Sequence, residues 1–386
     1  MTRIPFNSPY ATGNEFAYLR EAIDGQHLSG NGPFSARCAE WLRERTGARA
    51  AFLTHSATGA LEMAALLADL GPGDEVIMPS FTFVSTANAV VLRGATPVFC
   101  EIDPDTLNLD PRAAADAMTE RTRMLLPIHY AGVGADLDAL AGLARDRGLL
   151  LVEDAAQGIM ASRAGRPLGS VGHAGALSFH ETKNVTCGEG GALLVNDPEW
   201  VERAEIVHEK GTNRARFFRG QVDKYTWVDL GSSFLMSDMA AAFLWAQLEH
   251  GERITDERRR IWRRYHAALE PLEAEGRLRR PVVPDDAVHN AHLYHLLLPD
   301  GRERDRFIER LAAAEIATVF HYVPLHSSPA GRRFGRAVGD LRITTSVAER
   351  LVRLPLWVGM TDADIDRVVA AIHSALSARR SAVHAS

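Results

Sequence analysis

The 386-residue chain reads as an α/β domain on a mainly parallel sheet, followed by a smaller α+β domain. Three observations predict this. Short apolar runs recur at Ala51–Thr54, Glu75–Met78, Thr96–Glu101, Arg123–Ile128, Leu149–Glu153, Ala174–Phe179 and Ala192–Asn196. Amphipathic, helix-like stretches fall between them at 58–70, 84–93, 136–147 and 199–210, giving the rhythm of βαβ units. The rhythm stops near residue 251, where a long Arg-rich helix begins and leads to Pro281-Val282-Val283-Pro284. After it come an alternating run (His292–Leu298), a helix (303–314), a strand (317–322), a loop to about 344 and a final helix (362–378). The expected division is a large domain over 14–250 and a small domain made of 251–386 with the N-terminal arm 1–13. The polar tail Arg379–Ser386 is expected to fray.

Composition excludes several classes. With 46% hydrophobic and 24% charged residues the chain is that of an ordinary globular protein. A net charge of −6 and the lack of a basic tract argue against a nucleic-acid partner. Cys38, Cys100 and Cys187 are odd in number and widely spaced, which excludes a disulfide framework and fits a reducing compartment. There is no CxxC pair and no HExxH helix, so no metal is expected. No apolar stretch is long enough for a membrane span, and the N-terminus lacks a signal-peptide core; the expected location is cytoplasmic.

On a parallel sheet, ligands collect at the carboxyl ends of the strands. Taken in order, those ends carry the candidate chemistry. After the first run, Thr54-His55-Ser56-Ala57-Thr58-Gly59 places small residues and hydroxyls at a helix start, where amide groups favour a phosphate; the bland alternative is a plain N-cap. After the second, Pro79-Ser80-Phe81-Thr82-Phe83-Val84-Ser85-Thr86 offers Phe81 or Phe83 to stack on a flat heterocycle, although an aromatic there is more often core. After the fifth, Val152-Glu153-Asp154-Ala155-Ala156-Gln157 ends a buried run in carboxylates. Asp154 there suits a protonated pyridine nitrogen, or equally a helix cap. After the sixth comes Ser178-Phe179-His180-Glu181-Thr182-Lys183-Asn184, then the glycine cluster Gly188-Glu189-Gly190-Gly191, read as a sharp turn into the next strand.

The cations single out Lys183. Of 43 basic residues only Lys183, Lys210 and Lys224 are lysines. Only a lysine can lose its proton, attack a carbonyl and hold an imine; arginine stays charged. A buried carboxylate followed by an amine between two turns is the layout that a pyridoxal phosphate (PLP) enzyme needs.

These stretches, with Gly73–Phe83 and Gly220-Gln221-Val222-Asp223-Lys224-Tyr225-Thr226-Trp227, resemble the DegT/DnrJ/EryC1/StrS sugar aminotransferases over nearly the whole length. The similarity is strongest to the subgroup of dTDP-4-amino-4,6-dideoxygalactose transaminases, which act on dTDP-4-keto-6-deoxy-glucose. The resemblance implies a fold-type I homodimer with shared active sites. It implies Lys183 as the Schiff-base lysine, Asp154 at the pyridine nitrogen, Gln157 near the ring hydroxyl, and Phe83 stacked on the ring. Ser56, Ala57, Thr58 and Ser178 would lie near the phosphate. The cross-subunit phosphate contact would fall to Ser233, where the family often has Asn, and Ala57 stands where it often has Gly.

The implied reaction transfers an amine from L-glutamate to a nucleotide-linked keto-sugar. A diphosphate needs cations, and Lys210, Arg214, Arg216, Arg219 and Lys224 lie together before Tyr225. That segment, with His321, Tyr322 and His326, is assigned to the substrate; the bland alternative is a solvated surface with structural histidines. A related branch carries His in place of the lysine, and Lys183 argues against it. The alternatives are a C3-keto or differently based nucleotide sugar, or a non-catalytic regulator on the same fold.

Overall fold

The computed structural model describes residues 2–377; the tail Arg379–Ser386 lies outside the described residues. Along the chain the strands are β1 (Ala50–Thr54), β2 (Glu75–Pro79), β3 (Thr96–Cys100), β4 (Thr122–Leu125), β5 (Leu150–Asp154), β6 (Ser162–Arg163), β7 (Arg166–Pro167), β8 (Ala174–Ser178), β9 (Gly191–Val195), β10 (Ala287–Val288), β11 (Tyr294–Leu297), β12 (Arg336–Ala337) and β13 (Leu351–Leu354). Eight of them form one sheet in the order β1-β9-β8-β5-β4-β2-β3-β12. From β8 to β12 all neighbours run parallel; β9 alone is reversed, antiparallel to β1 and β8.

Every residue of β2, β8 and β9 is buried, as expected for strands covered on both faces. One face packs Met63, Ala64, Val76, Leu193 and Phe234 beneath helix Ala57–Leu67. The other packs Leu53, Leu177, Phe179 and Leu194 against helices Pro33–Thr46 and Asp238–Leu248. A further core joins Ile4 to Ile261, Tyr265, Tyr294, Phe307, Val352 and Ile372.

Three expectations need correction. The segment 317–322 is no strand: it makes only isolated bridges, Ile316 with Ile4 and Val319 with Arg353, before Tyr322 bends the chain with a left-handed φ of 34°. The Arg-rich helix is two helices, Gly251–Ala268 and Glu270–Ala274, because Pro271 supplies no amide to continue the first. The loop to 344 holds helix Pro329–Phe334, β12 and the start of helix Arg342–Arg350. Helices Glu15–Asp24, Pro33–Thr46, Pro111–Asp116 and Asp238–Leu248 were not expected. The last has no polar face for periodicity to find: Ala241, Ala242, Leu244, Ala246 and Leu248 are all buried. No helix among the described residues is long and apolar enough to cross a membrane.

β12 carries the C-terminal part of the chain onto the edge of the large sheet, and one carboxylate secures it. Glu75 is buried at the start of β2 and receives Arg336 Nε (3.0 Å) and Nη2 (2.6 Å), Thr119 Oγ1 (2.8 Å) and Arg121 Nη2 (2.7 Å). The Arg336 hydrogen bonds pull its carboxyl from 4.5 to about 2, against the upward push of burial. A carboxylate lowered on folding stabilises the fold above its unfolded value, and that contribution is lost as pH falls through the folded one. Glu75→Gln should therefore cost on the order of 3 kcal/mol near neutrality in denaturant unfolding, and the difference from wild type should shrink between pH 4.5 and 2.

Candidate active site

A cavity of about 770 Å³ opens at the carboxyl ends of β1, β2, β5 and β8. Its floor is set by the last two residues of β5, whose side chains point to opposite faces. Glu153 turns away from the cavity. It accepts hydrogen bonds from His129 Nε2 (2.9 Å) and from the backbone N–H of Gly169, Val171 and Gly172 (2.8, 2.7 and 2.8 Å). Burial pushes its carboxyl upward, but His129 and those amides more than offset this and hold it below the usual value. His129 Nδ1 accepts from Ala135 N (3.1 Å), so the ring proton sits on Nε2, facing Glu153. Asp154 turns into the cavity, 6% exposed. Thr86 Oγ1 donates to its Oδ2 (2.7 Å) and Thr86 is linked to Thr82 (2.9 Å), while Oδ1 accepts from Ala156 N (3.1 Å). Asp154 thus does make a local turn contact, and still lines the cavity.

Lys183 sits in the loop that joins β8 to β9. The ladder continues past the strand ends through Phe179 N to Gly190 O (2.8 Å), Cys187 N to Phe179 O (2.9 Å) and Glu181 N to Gly188 O (2.8 Å), so the loop is braced. Asn184 anchors it from the C-terminal side: its Nδ2 donates to Asn290 O (2.8 Å) and its Oδ1 meets His292 Nδ1 (3.0 Å). Asn290 in turn donates to Gln157 O (2.8 Å) and Ile159 O (2.7 Å). Burial lowers the Lys183 amine from 10.5 to about 8; Asp154 resists the shift and the charge of Arg353 adds to it. The amine is therefore far more often neutral, and nucleophilic, than a surface lysine.

At one end of the cavity the chain offers an anion cradle. Ser56 caps helix Ala57–Leu67, its Oγ accepting from Gly59 N (3.1 Å), and Ala57 and Thr58 follow at the helix start. Thr58 Oγ1 lies 2.7 Å from Ser85 Oγ. Ser178, at the end of β8, lines the same wall. Gly191 permits the arrangement: a Cβ there would stand 2.4 Å from Ala57 N, so only glycine lets β9 press against the Ser56–Ala57 turn.

The roof comes from both chain ends. Phe6 and Asn7 reach the cavity because Ile4 is bridged to Ile316. His321 and Tyr322 stack on each other (3.6 Å between ring centroids), with His321 Nδ1 against Tyr130 Oη (2.8 Å). Gln157 accepts from Ala131 N (2.7 Å) and donates to Tyr322 Oη (3.0 Å). Phe83 lines the cavity and is 57% exposed, whereas Phe81 is core.

The structure therefore gathers Lys183, Asp154, Ser56, Ala57, Thr58, Phe83, Gln157, Ser178, His321 and Tyr322 around one space. It does not bring the rest there within one chain. His326 is held by Ser80 Oγ (2.8 Å) rather than aimed at the cavity. Lys210 is 3.5 Å from Glu209, and Arg219 pairs with Glu205 (2.8 Å). Lys224 and Tyr225 are exposed, Tyr225 packing on Phe217, and Ser233 is exposed beside Glu209. Sequence reasoning gave no role to Thr86, Arg258, His292 or Arg353, all in or against the cavity wall. Thr86 stands at the end of a stretch already singled out; the others follow no local motif.

A family model described as the DegT/DnrJ/EryC1/StrS aminotransferase family matches residues 9–373. The chain is 33% identical to the GDP-perosamine synthase of Caulobacter vibrioides, over 97% of this chain and 99% of that protein. Among solved structures, DesV from S. venezuelae matches with a TM-score of 0.89 at 31% identity, covering 97% of this chain and 99% of that one. The PLP-form of Spr1654 from Streptococcus pneumoniae matches with a TM-score of 0.88 at 25% identity, covering 97% and 99%. The residues present fit that cofactor: hydroxyls and a helix start for a phosphate, a carboxylate for a ring nitrogen, and an amine for an aldehyde.

The lowered lysine is open to a direct check. In cofactor-free protein, acylation of Lys183 by an amine-reactive reagent, followed by mass spectrometry, should reach half its maximal rate near pH 8. Lys210 and Lys224, both solvent-exposed, serve as internal references and should lag behind it at neutral pH.

Proposed function

The chain belongs to the DegT/DnrJ/EryC1/StrS aminotransferase family and is a PLP-dependent sugar aminotransferase; from that premise we propose that its substrate is dTDP-4-keto-6-deoxy-D-glucose, aminated at C4 with L-glutamate as donor. The product is then a dTDP-4-amino-4,6-dideoxyhexose. What supports the substrate is the stretch Gly220–Trp227, which resembles the dTDP-sugar subgroup. What carries the chemistry is the pairing of a half-buried, easily deprotonated Lys183 with Asp154 across one cavity. A lysine amine and a carboxylate lining one cavity support the enzymatic reading over the regulatory one.

When bound, PLP supplies an electron sink for the carbanion formed next to the transferred amine. The chain's residues do the rest. Lys183 Nζ provides the point of attachment, then takes the α-proton of the amino donor and later delivers one to the sugar carbon that receives the amine. Asp154, its Oδ2 fixed by Thr86, keeps a proton on the ring nitrogen. Ser56, Ala57, Thr58 and Ser178 would hold the phosphate, Phe83 would cover the ring, and Gln157 would meet the ring hydroxyl; all of them line the cavity. His321 and Tyr322, which line the same cavity, would face the sugar nucleotide. The same reading makes the enzyme a homodimer with shared sites, in which the exposed segment holding Lys210, Arg219, Lys224, Tyr225 and Ser233 serves the neighbouring site. A second reading keeps the chemistry and changes the nucleotide: one relative bears the name GDP-perosamine synthase.

Purified protein offered L-glutamate and a panel of dTDP- and GDP-linked keto-sugars should aminate the dTDP-4-keto sugar at the highest kcat/KM; preference for a GDP-sugar or a C3 ketone rejects the primary substrate. Lys183→Arg should abolish turnover and retain no PLP after borohydride reduction and dialysis. Covalent PLP recovered on Lys210 or Lys224 would overturn the assignment.

A further inference from the structure

His292 lies just before β11, is half-buried and lines the cavity. Its backbone is held on both sides: Asn290 Oδ1 accepts from His292 N (3.0 Å), and Arg258 Nη2 donates to His292 O (2.7 Å). Its ring is held by Asn184, whose two amide atoms are told apart by what they face. The atom 2.8 Å from Asn290 O is the nitrogen, because a backbone carbonyl only accepts. The other, 3.0 Å from His292 Nδ1, is therefore the oxygen, which also only accepts, so Nδ1 carries the ring proton. Burial, helped by the charges of Lys183, Arg258 and Arg353, pushes the imidazolium form well down, and Nε2 is left with a bare lone pair. Nε2 has no partner among the described residues, and it is not sealed from solvent.

Resting on the keto-sugar reading, we infer that His292 Nε2 accepts a hydrogen bond from the sugar hydroxyl next to the ketone, which makes His292 a specificity-determining residue. A bare nitrogen lone pair takes O–H or N–H donors and repels anions. That excludes the carboxylates of an amino donor and the diphosphate of the nucleotide, which only accept at neutral pH. The donor's amine is the group being transferred and is not free for a second site. Lys183 Nζ makes no hydrogen bond to His292, although both line the cavity. The N–H of the base and the hydroxyl of its ribose lie beyond the diphosphate, away from the reacting carbon. The hexose hydroxyls remain, and position selects among them. Asn184 follows Lys183 directly, so the residue that orients His292 and the residue that carries the reacting amine share one braced loop. In a 4-keto-6-deoxy pyranose, C5 bears the ring oxygen and the methyl group. The only hydroxyl beside the ketone is the one on C3.

An analogue without that hydroxyl, dTDP-4-keto-3,6-dideoxy-D-glucose, isolates the contact. In single-turnover sugar half-reactions started from the pyridoxamine form, wild type should favour the hydroxylated sugar over the analogue by about 10- to 100-fold, because the analogue leaves the acceptor unmet. His292→Phe should shrink that preference to about threefold or less, while conversion of the PLP form by L-glutamate stays within about threefold of wild type. His292→Asn has an amide nitrogen to stand in for Nδ1 and nothing in place of Nε2. It should lose the preference equally, and it carries the test if the Phe variant is unstable. A second readout needs no turnover. Nitrogen NMR of cofactor-free protein labelled in its histidine rings, with the His292→Asn protein identifying the signal, should show Nδ1 protonated and Nε2 bare. Asn184→Ala should release a mixture of tautomers. A proton on Nε2 in wild type overturns the inference. So does the lack of a wild-type preference, a preference unchanged in both His292 variants, or a loss confined to the glutamate half. A wild type that prefers a GDP-linked 4-keto sugar rejects the substrate named above instead. The spectra still decide what His292 presents, and the 3-deoxy analogue of the preferred sugar decides on the hydroxyl.

Discussion

The active site depends on a division of labour between two neighbouring carboxylates. Strand geometry sends Glu153 and Asp154 to opposite faces, so one can be spent entirely on structure while the other is kept for chemistry. Glu153 gathers His129 and three backbone amides from the turn before β8, fixing the approach to the strand that carries Ser178 and then Lys183. Asp154 is held in its buried place by Thr86 and one backbone amide.

Burial acts with one sign on the bases around that axis, disfavouring their charged forms. It makes Lys183 a better nucleophile by penalising its charge, and Asp154 keeps the penalty from running further. It depresses His321 and His292 as well, so these imidazoles enter the site as neutral hydrogen-bonding groups rather than as cations. The remaining positive charge is then concentrated on guanidinium groups, which do not lose it.

Much of this was legible in the sequence because a parallel sheet writes its active site at strand ends. Ser56, Asp154, Ser178 and Lys183 each follow an apolar run that the eye can find, and their order alone suggested a shared ligand. What could not be read is what other parts of the chain bring. Arg353 stands in a buried strand, Leu351–Leu354, whose apolar pattern is too short to mark it, and only the packing of that strand brings it to the cavity. His292 and Asn290 matter through Asn184, more than a hundred residues away. The segment 317–322 looked like a strand because Val319, Phe320 and Tyr322 favour extended backbone. They are instead cavity lining, with only one residue paired to β13. The basic segment before Tyr225 misled in the opposite way: its charges are visible in the sequence, yet Glu205 and Glu209 take up Arg219 and Lys210 within the chain.

The bridge between Ile4 and Ile316 also bears on how the molecule is made. Phe6 and Asn7 emerge from the ribosome well before Ile316, and their place in the roof does not exist until Ile316 has followed. At ordinary translation speeds that delay is on the order of tens of seconds. The large sheet can assemble during that time, whereas the wall that shields Arg353 and Lys183 from water is among the last parts to close. A nascent chain thus has its catalytic lysine before it has an enclosed site, and enclosure awaits the synthesis of Ile316.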